Sequence, residues 1–210
     1  MKLYLSVIGI SALIMAAFNI AFGIMPWYYV ILAIIWCIAL EFAIDGLAAI
    51  VINKMPDSWF SVDNPAYKVS DVEKRLYKKL RVRLWKDKVW ELGGLGGFSK
   101  KNLVDPGNPR YVERFIIECN KGVLTHRLAY PLGFLVMLTV DERCALTIGL
   151  PVAIVNLFLN VLPTLALRYN TPKLQNLLVR LKRNQARKER EGIEEHKEAE
   201  DESVLSCDAE

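Results

Sequence analysis

Apolar residues gather in two blocks, roughly 3–53 and 128–167, and charged residues fill the stretch between them and the C-terminus. Leu3 to Ile24 carries Asn19 as its only strongly polar side chain. That run is long enough for the helix of about 20 residues that crosses a bilayer core. Lys2 before it also suits a secretory signal, but its length and the second apolar run that follows at once favour a retained helix. Pro26 marks a turn, and Trp27, Tyr28 and Tyr29 stand where aromatic rings prefer the headgroup boundary. A second span is predicted from about Trp27 to Ile52, ending at Asn53 and Lys54. Leu128 to Val140 is apolar but short, Asp141-Glu142-Arg143 is a polar turn, and Cys144 to Leu167 is long enough to cross. The last pair reads as a hairpin that crosses twice, with a shallow re-entrant pair as the alternative.

The intervening segment has its own periodicity. Ser70-Asp71-Val72-Glu73 is a capping box, in which Ser70 and Glu73 each satisfy a backbone donor. Val72, Leu76, Leu80 and Leu84 then recur every four residues among Lys74, Arg75, Lys78, Lys79, Arg81, Arg83, Lys86 and Lys88. A basic helix with an apolar face, with Trp85 and Trp90 nearby, suits an anionic leaflet. The plainer reading is a solvated helix packed on its own protein. Tyr111 to Thr125 predicts another helix, with Phe115, Ile116 and Cys119 on its apolar side. Thr171 as cap and Pro172 at the first position predict a helix start after the fourth span. Its stripe is Leu174, Leu177, Leu178 and Leu181, again on a basic helix. From Glu189 the charge turns acidic, which predicts a disordered tail.

The expected fold is therefore an all-α integral membrane protein with about four transmembrane helices and amphipathic cytoplasmic helices. It divides into a transmembrane pair (1–53), a basic cytoplasmic segment (54–127), a transmembrane hairpin (128–167), a basic interfacial helix (168–188) and the tail (189–210). A hydrophobic content of 53% and a mean hydropathy of +0.22 agree with spans rather than one large soluble core. Of 27 basic residues, 16 lie between Lys54 and Arg127 and nine from Arg168 onward, leaving Lys2 and Arg143. The positive-inside rule then places both termini in the cytoplasm of a multi-pass cell-membrane protein. A basic patch also suggests nucleic acid, but one wedged between spans does not favour it. Cys37, Cys119, Cys144 and Cys207 form no CxxC pair, so neither a disulfide framework nor a metal site is expected.

Few groups can do chemistry. His196 falls in the charged tail. His126 stands where the cytoplasmic segment enters the membrane, and an imidazole moves protons near neutral pH. It can equally mark the headgroup boundary. Glu118 is eight residues earlier, on the same helical face but too far for direct contact along one helix. Glu41 and Asp45 are four apart inside the second span, and Asn156 and Asn160 repeat that spacing in the fourth. Intramembrane carboxylates face a bundle interior or a wet cavity, whereas asparagines often join helices. Together with Asn19 they predict a polar pocket for a sugar head, a metal or a proton. Gly93-Gly94-Leu95-Gly96-Gly97 before Ser99-Lys100-Lys101 can cradle a phosphate, but without a preceding strand a flexible connection is the simpler reading.

Three stretches together resemble one family. They are Arg81 to Lys88 with Ser99 to Leu103, then Phe115 to Cys119 with Leu124-Thr125-His126, and finally Asn160 to Pro163 with Arg168 to Leu174 and Leu177 to Arg183. In this order they resemble the glycosyl-4,4'-diaponeurosporenoate acyltransferases of staphyloxanthin-type carotenoid synthesis, over roughly residues 50–188. The resemblance implies transfer of a fatty acyl group to the sugar of a glycosylated membrane carotenoid or related glycolipid. It implies acyl-CoA or a similar donor as co-substrate, no bound cofactor, and membrane lipids and a lipid-linked sugar as partners. By that analogy His126 is the general base and Glu118 orients it or the substrate. Arg83, Lys86, Lys88, Lys100 and Arg168 hold an anionic donor or lipid head, with Trp85, Asn160, Tyr169 and Asn170 in the matching blocks. Val123 departs from the family pattern, which often carries a glutamate three residues before the histidine. A non-catalytic scaffold that gathers lipid through its basic helices is the alternative, and a relative acting on another lipid is a further one. Oligomeric state is left open.

Overall fold

The computed structural model describes residues 2–89 and 102–207, with side chains for 3–89 and 102–193. The expected glycine-rich loop, with Trp90, Lys100 and Lys101, lies outside the described residues. Those described are helical, with no strand. Helix α1 (Lys2–Ala21) ends where Gly23 adopts φ +59°, with Gly23 N–H donating to the Ile20 carbonyl and Ile24 N–H to that of Asn19. Glycine supplies the left-handed turn that closes a helix this way. Pro26 then precedes α2 (Trp27–Asn53). Short 3₁₀ turns at Asp57–Phe60 and Pro65–Tyr67 lead to α3 (Asp71–Lys79) and α4 (Val82–Trp85). Both bonds of the expected capping box at Ser70 and Glu73 are present.

Helix α5 (Pro109–Gly133) starts with Asn108 capping the Arg110 and Tyr111 amides and Pro109 in the first turn. It takes in the helix expected from Tyr111 and runs on into the apolar block. A 3₁₀ stretch (Phe134–Thr139), a single turn α6 (Glu142–Cys144) and a π-helical turn (Ala145–Gly149) then reverse the chain into α7 (Leu150–Cys207).

Among the described residues, three helices are long and apolar enough to cross a membrane: Leu3–Ala21, Trp27–Asn53 and Glu142–Ile193. The sequence predicted about four. The difference is Leu128–Val140, where the apolar residues form only the end of a helix begun in charged sequence, and the α-helix tightens into 3₁₀ after Gly133.

Two expectations change at α7. Thr171-Pro172 does not start a new helix, because α7 passes through Pro163 and Pro172 unbroken. Each proline removes one backbone donor, and beside the second the Thr171 hydroxyl donates to the Leu167 carbonyl at 3.2 Å. The backbone also stays helical as far as Cys207, where a disordered tail was predicted. The sequence there is rich in Glu, which favours helix, and Arg187 pairs with Glu191 one turn on.

Packing follows the apolar faces. Met15, Val30, Ile34, Cys37, Val136, Cys144, Ile148 and Val152 join α1, α2 and the irregular turns into one core. Phe115, Ile116 and Cys119 of α5 bury against Leu174 and Leu178 of α7. The leucine stripe expected to face a leaflet therefore packs on α5 instead. A third core joins Ile52, Phe60 and Tyr67, with Ile117 and Leu124 against it.

Gly149 has a packing reason. A Cβ there would sit 3.0 Å from the Met137 Cα, a backbone atom with no room to yield, whereas one at Gly9 would meet nothing within 4 Å. Gly149→Ala is expected to destabilise the fold by about 1–3 kcal/mol and Gly9→Ala hardly at all. Thermal unfolding of the two variants in one detergent checks this, and equal midpoints would refute it.

Candidate functional site

Three helices bring polar side chains together inside the bundle. Helix α2 contributes Glu41 and Asp45, α5 contributes His126, Tyr130 and Gly133, and α7 contributes Asn156, Asn160 and Thr164. Each set follows helical spacing, so each occupies one face.

The bonds form a directed chain. Asn156 Nδ2 donates to Glu41 Oε2 at 2.7 Å. Asn160 Nδ2 donates to Asp45 Oδ2 at 3.0 Å and to Asn156 Oδ1 at 2.9 Å. Asn160 Oδ1 lies 2.7 Å from His126 Nδ1. Asn160 Nδ2 also donates to the Asn156 backbone carbonyl at 3.1 Å; a carbonyl only accepts, so this bond fixes the amide and turns its oxygen to the imidazole. The ring nitrogen facing that oxygen is the N–H, which makes Nε2 the basic nitrogen. One turn along each helix, Tyr130 OH donates to Thr164 Oγ1 at 2.8 Å, and Thr164 donates back to the Asn160 carbonyl at 3.1 Å.

Close approach here depends on Gly133. A Cβ on it would lie 3.0 Å from both Glu41 Oε2 and Asn156 Nδ2. Glu41 and Asn160 are buried. Glu41 Oε1 and Asp45 Oδ1 are buried as well and make no hydrogen bond. These two oxygens are acceptors to which a hydroxyl-rich group can bond. No group of three or more His, Cys, Asp or Glu able to hold a metal occurs among the described residues.

The other predicted residues lie elsewhere. Glu118 is 3.5 Å from Lys121, which also pairs with Asp57 and lies over the Phe60 ring. His126 Nδ1 meets Asn160, a contact the sequence reading did not assign. Val123, the departure from the family pattern, is buried. Arg168 is buried too: its Nε donates to Glu73 Oε1 at 2.7 Å and its Nη2 to Glu73 Oε2 at 2.8 Å and to the Lys68 carbonyl at 3.0 Å. Hydrogen bonding to that guanidinium holds the Glu73 carboxyl down at about 2. Tyr169 packs edge-on against Tyr77 and carries Lys173 over its ring, while Asn170 is half-buried.

In the Trp-Lys-x-Lys block, Trp85 Nε1 donates to the Leu80 carbonyl and Lys86 pairs with Asp87. Arg83 and Lys88 are exposed. A cleft of about 310 Å³ opens between α3 and α7, lined by Lys68, Lys74, Gln175 and Asn176 among others. The Lys68 ammonium and two amides there suit an anionic head, while Lys74 is paired with Asp71 at 2.9 Å. Arg168, Tyr169 and Asn170 lie about two turns beyond Asn160 on α7, roughly 12 Å along the axis.

Sequence reasoning missed Tyr130, Thr164 and Gly133. The first two were findable as the residues four on from His126 and Asn160. Gly133 carries no such signal, since its role depends on the Glu41 carboxylate of another helix.

A family model for glycosyl-4,4'-diaponeurosporenoate acyltransferase matches residues 56–180. No curated protein and no solved structure matches the chain.

Proposed function

We propose, from the premise that the chain belongs to the glycosyl-4,4'-diaponeurosporenoate acyltransferase family, that it transfers a fatty acyl group to a sugar hydroxyl of a glycosylated carotenoid or related glycolipid within the membrane. The family assignment supports an acyltransferase of carotenoid glycolipid synthesis. The observation that carries the mechanism is the Asp45, Asn160 and His126 chain.

In this reading His126 Nε2 takes the proton of the sugar hydroxyl. The hydroxyl oxygen attacks the acyl carbonyl, the C–O bond forms, and the bond from acyl carbon to donor breaks. The proton leaves with the donor's leaving group, a thiol if the donor is acyl-CoA. Asn160 holds the ring in its Nδ1–H form, and the Asp45 charge favours the imidazolium that develops. Glu41 Oε1 and Asp45 Oδ1 accept bonds from other hydroxyls of the sugar. Arg83, Lys86 and Lys88, with the Lys68 and Lys74 cleft, serve the anionic donor. Arg168 serves it only indirectly, since Glu73 occupies its guanidinium.

The membrane reading extends to a fourth crossing by the end of α5 and the 3₁₀ stretch. Asp141 N–H donates to Tyr29 OH at 3.3 Å, and Trp36 Nε1 to Thr139 Oγ1 at 3.1 Å. Those bonds support a turn at Asp141 on the level of the α1–α2 turn. The basic segments then share the opposite, cytoplasmic side.

The test is expression in a host that makes the glycosylated carotenoid, with extracted lipids compared by mass. The expected result is a new species heavier by one acyl group. Its absence with well-inserted protein would overturn the carotenoid substrate.

A further inference from the structure

We propose that α3 and α4 lie in the headgroup layer of an anionic leaflet, with Val72, Leu76, Leu80 and Leu84 dipped to the acyl boundary and the flanking cations on lipid phosphates. The inference rests on the membrane reading of the long apolar helices and not on acyl transfer.

Exposure is the first observation. Val72 is 71% exposed, Leu76 and Leu80 are each 44% and Leu84 is 68%, so none of the four belongs to a buried core. The docked side of the helix is different: Glu73 bonds Arg168, and Tyr77 is buried against Tyr169. Residues 72, 76 and 80 sit about 100° around the axis from 73 and 77. One side therefore pins α3 to α7 while the adjoining side presents an apolar edge.

Level is the second. Asp45 of α2 bonds Asn160 of α7. Eight residues on, α2 ends at Asn53 and α7 reaches Arg168, each about 12 Å along its axis. Arg168 thus stands where the long apolar span gives out, and it fixes α3 at that height. An exposed apolar edge at the end of a span meets the boundary between headgroups and acyl chains.

Charge is the third. Arg75 and Lys79 flank the edge and Arg81 follows it, while Lys74 neutralises Asp71 and Arg168 neutralises Glu73. Cations bordering a row of exposed leucines match an anionic lipid surface. Arg81 holds φ +47°, a left-handed kink that ends α3 and lets α4 follow a new direction.

The experiment places nitroxides on the full chain carrying Cys207→Ser, at Leu76→Cys, Leu80→Cys or Lys78→Cys. Each protein is reconstituted in phosphatidylcholine vesicles with and without phosphatidylglycerol. Labels at 76 and 80 are expected to relax faster with oxygen than with a water-soluble nickel chelate, and the label at 78 the reverse. Removing phosphatidylglycerol, or combining Arg75→Gln with Lys79→Gln, should raise nickel access at 76 and 80. Nickel access at 76 and 80 equal to that at 78 in both vesicles overturns the proposal. Labels shielded from both reagents and broadened by spin–spin coupling overturn it too, in favour of a second copy on this face. Neither readout uses acyl transfer, so the result stands apart from the family activity.

Discussion

His126→Ala is expected to lower acyl transfer by about 10²–10⁴-fold, the range that a positioned general base contributes. The loss should fall on turnover rather than on apparent substrate affinity, because the ring acts on a proton in flight. Asn160→Ala should give a smaller loss. It leaves the imidazole in place but removes the amide oxygen 2.7 Å from Nδ1, so the ring can take the other tautomer or turn. Asn160→Gln, with the amide kept, should restore part of the rate if the longer side chain still reaches Asp45. Ile154→Ala, on an exposed apolar position of the same helix, is the control and should change little. Mass analysis of lipid extracts measures all four. Full activity in His126→Ala would falsify the base assignment while leaving the family assignment untouched.

Arg168→Ala carries the second large effect. The guanidinium is buried against Glu73, and removing one partner of such a pair typically costs about 3–5 kcal/mol. Here the abandoned carboxylate belongs to α3, so the expected result is release of α3 from α7 while the long helices stay folded. Hydrogen exchange over 68–89 should rise sharply in the variant and remain low in α2. Glu73→Gln should cost less, since an amide keeps one acceptor.

The same pair sets an acid limit. The Glu73 pKa is about 2 in the fold against an ordinary 4.5. A depressed carboxyl contributes stability above its unfolded pKa and loses it as pH falls through the folded one. Docking of α3 should therefore be constant above about pH 5 and weaken progressively from pH 4.5 towards pH 2. In Glu73→Gln that dependence should vanish.

Periodic features were legible in the sequence. The two N-terminal apolar helices appear within three residues of their expected ends, because a run of apolar residues needs no partner to be recognised. The Ser70–Glu73 box closes as written, since both of its bonds are local. The pairing of Glu41 and Asp45 with Asn156 and Asn160 was foreshadowed by equal spacing, which lets two faces meet rung by rung. What the sequence left open depends on register between distant helices. Glu118 and His126 share a face, yet Lys121 lies one turn from Glu118 and takes it. Arg168 looked like a donor-binding cation, and nothing near it in the chain reveals that Glu73, 95 residues earlier, claims it. Thr171-Pro172 has the composition of a helix start, but the preceding turns already supply a helix for it to extend. The leucines after it looked interfacial because their partners on α5 are also apolar, and either burial satisfies them.

The unbroken α7 makes its polar residues share one axle. Asn160 and Arg168 are eight residues apart, so their side chains differ in phase by about 80°. That offset lets one helix address α2 with the first and α3 with the second. Substituting residues between them leaves the phase intact. Inserting a single residue between them turns everything beyond by about 100°, and no relaxation of side chains brings both back. Relatives that keep both contacts are therefore free to vary in composition along this stretch but not in length.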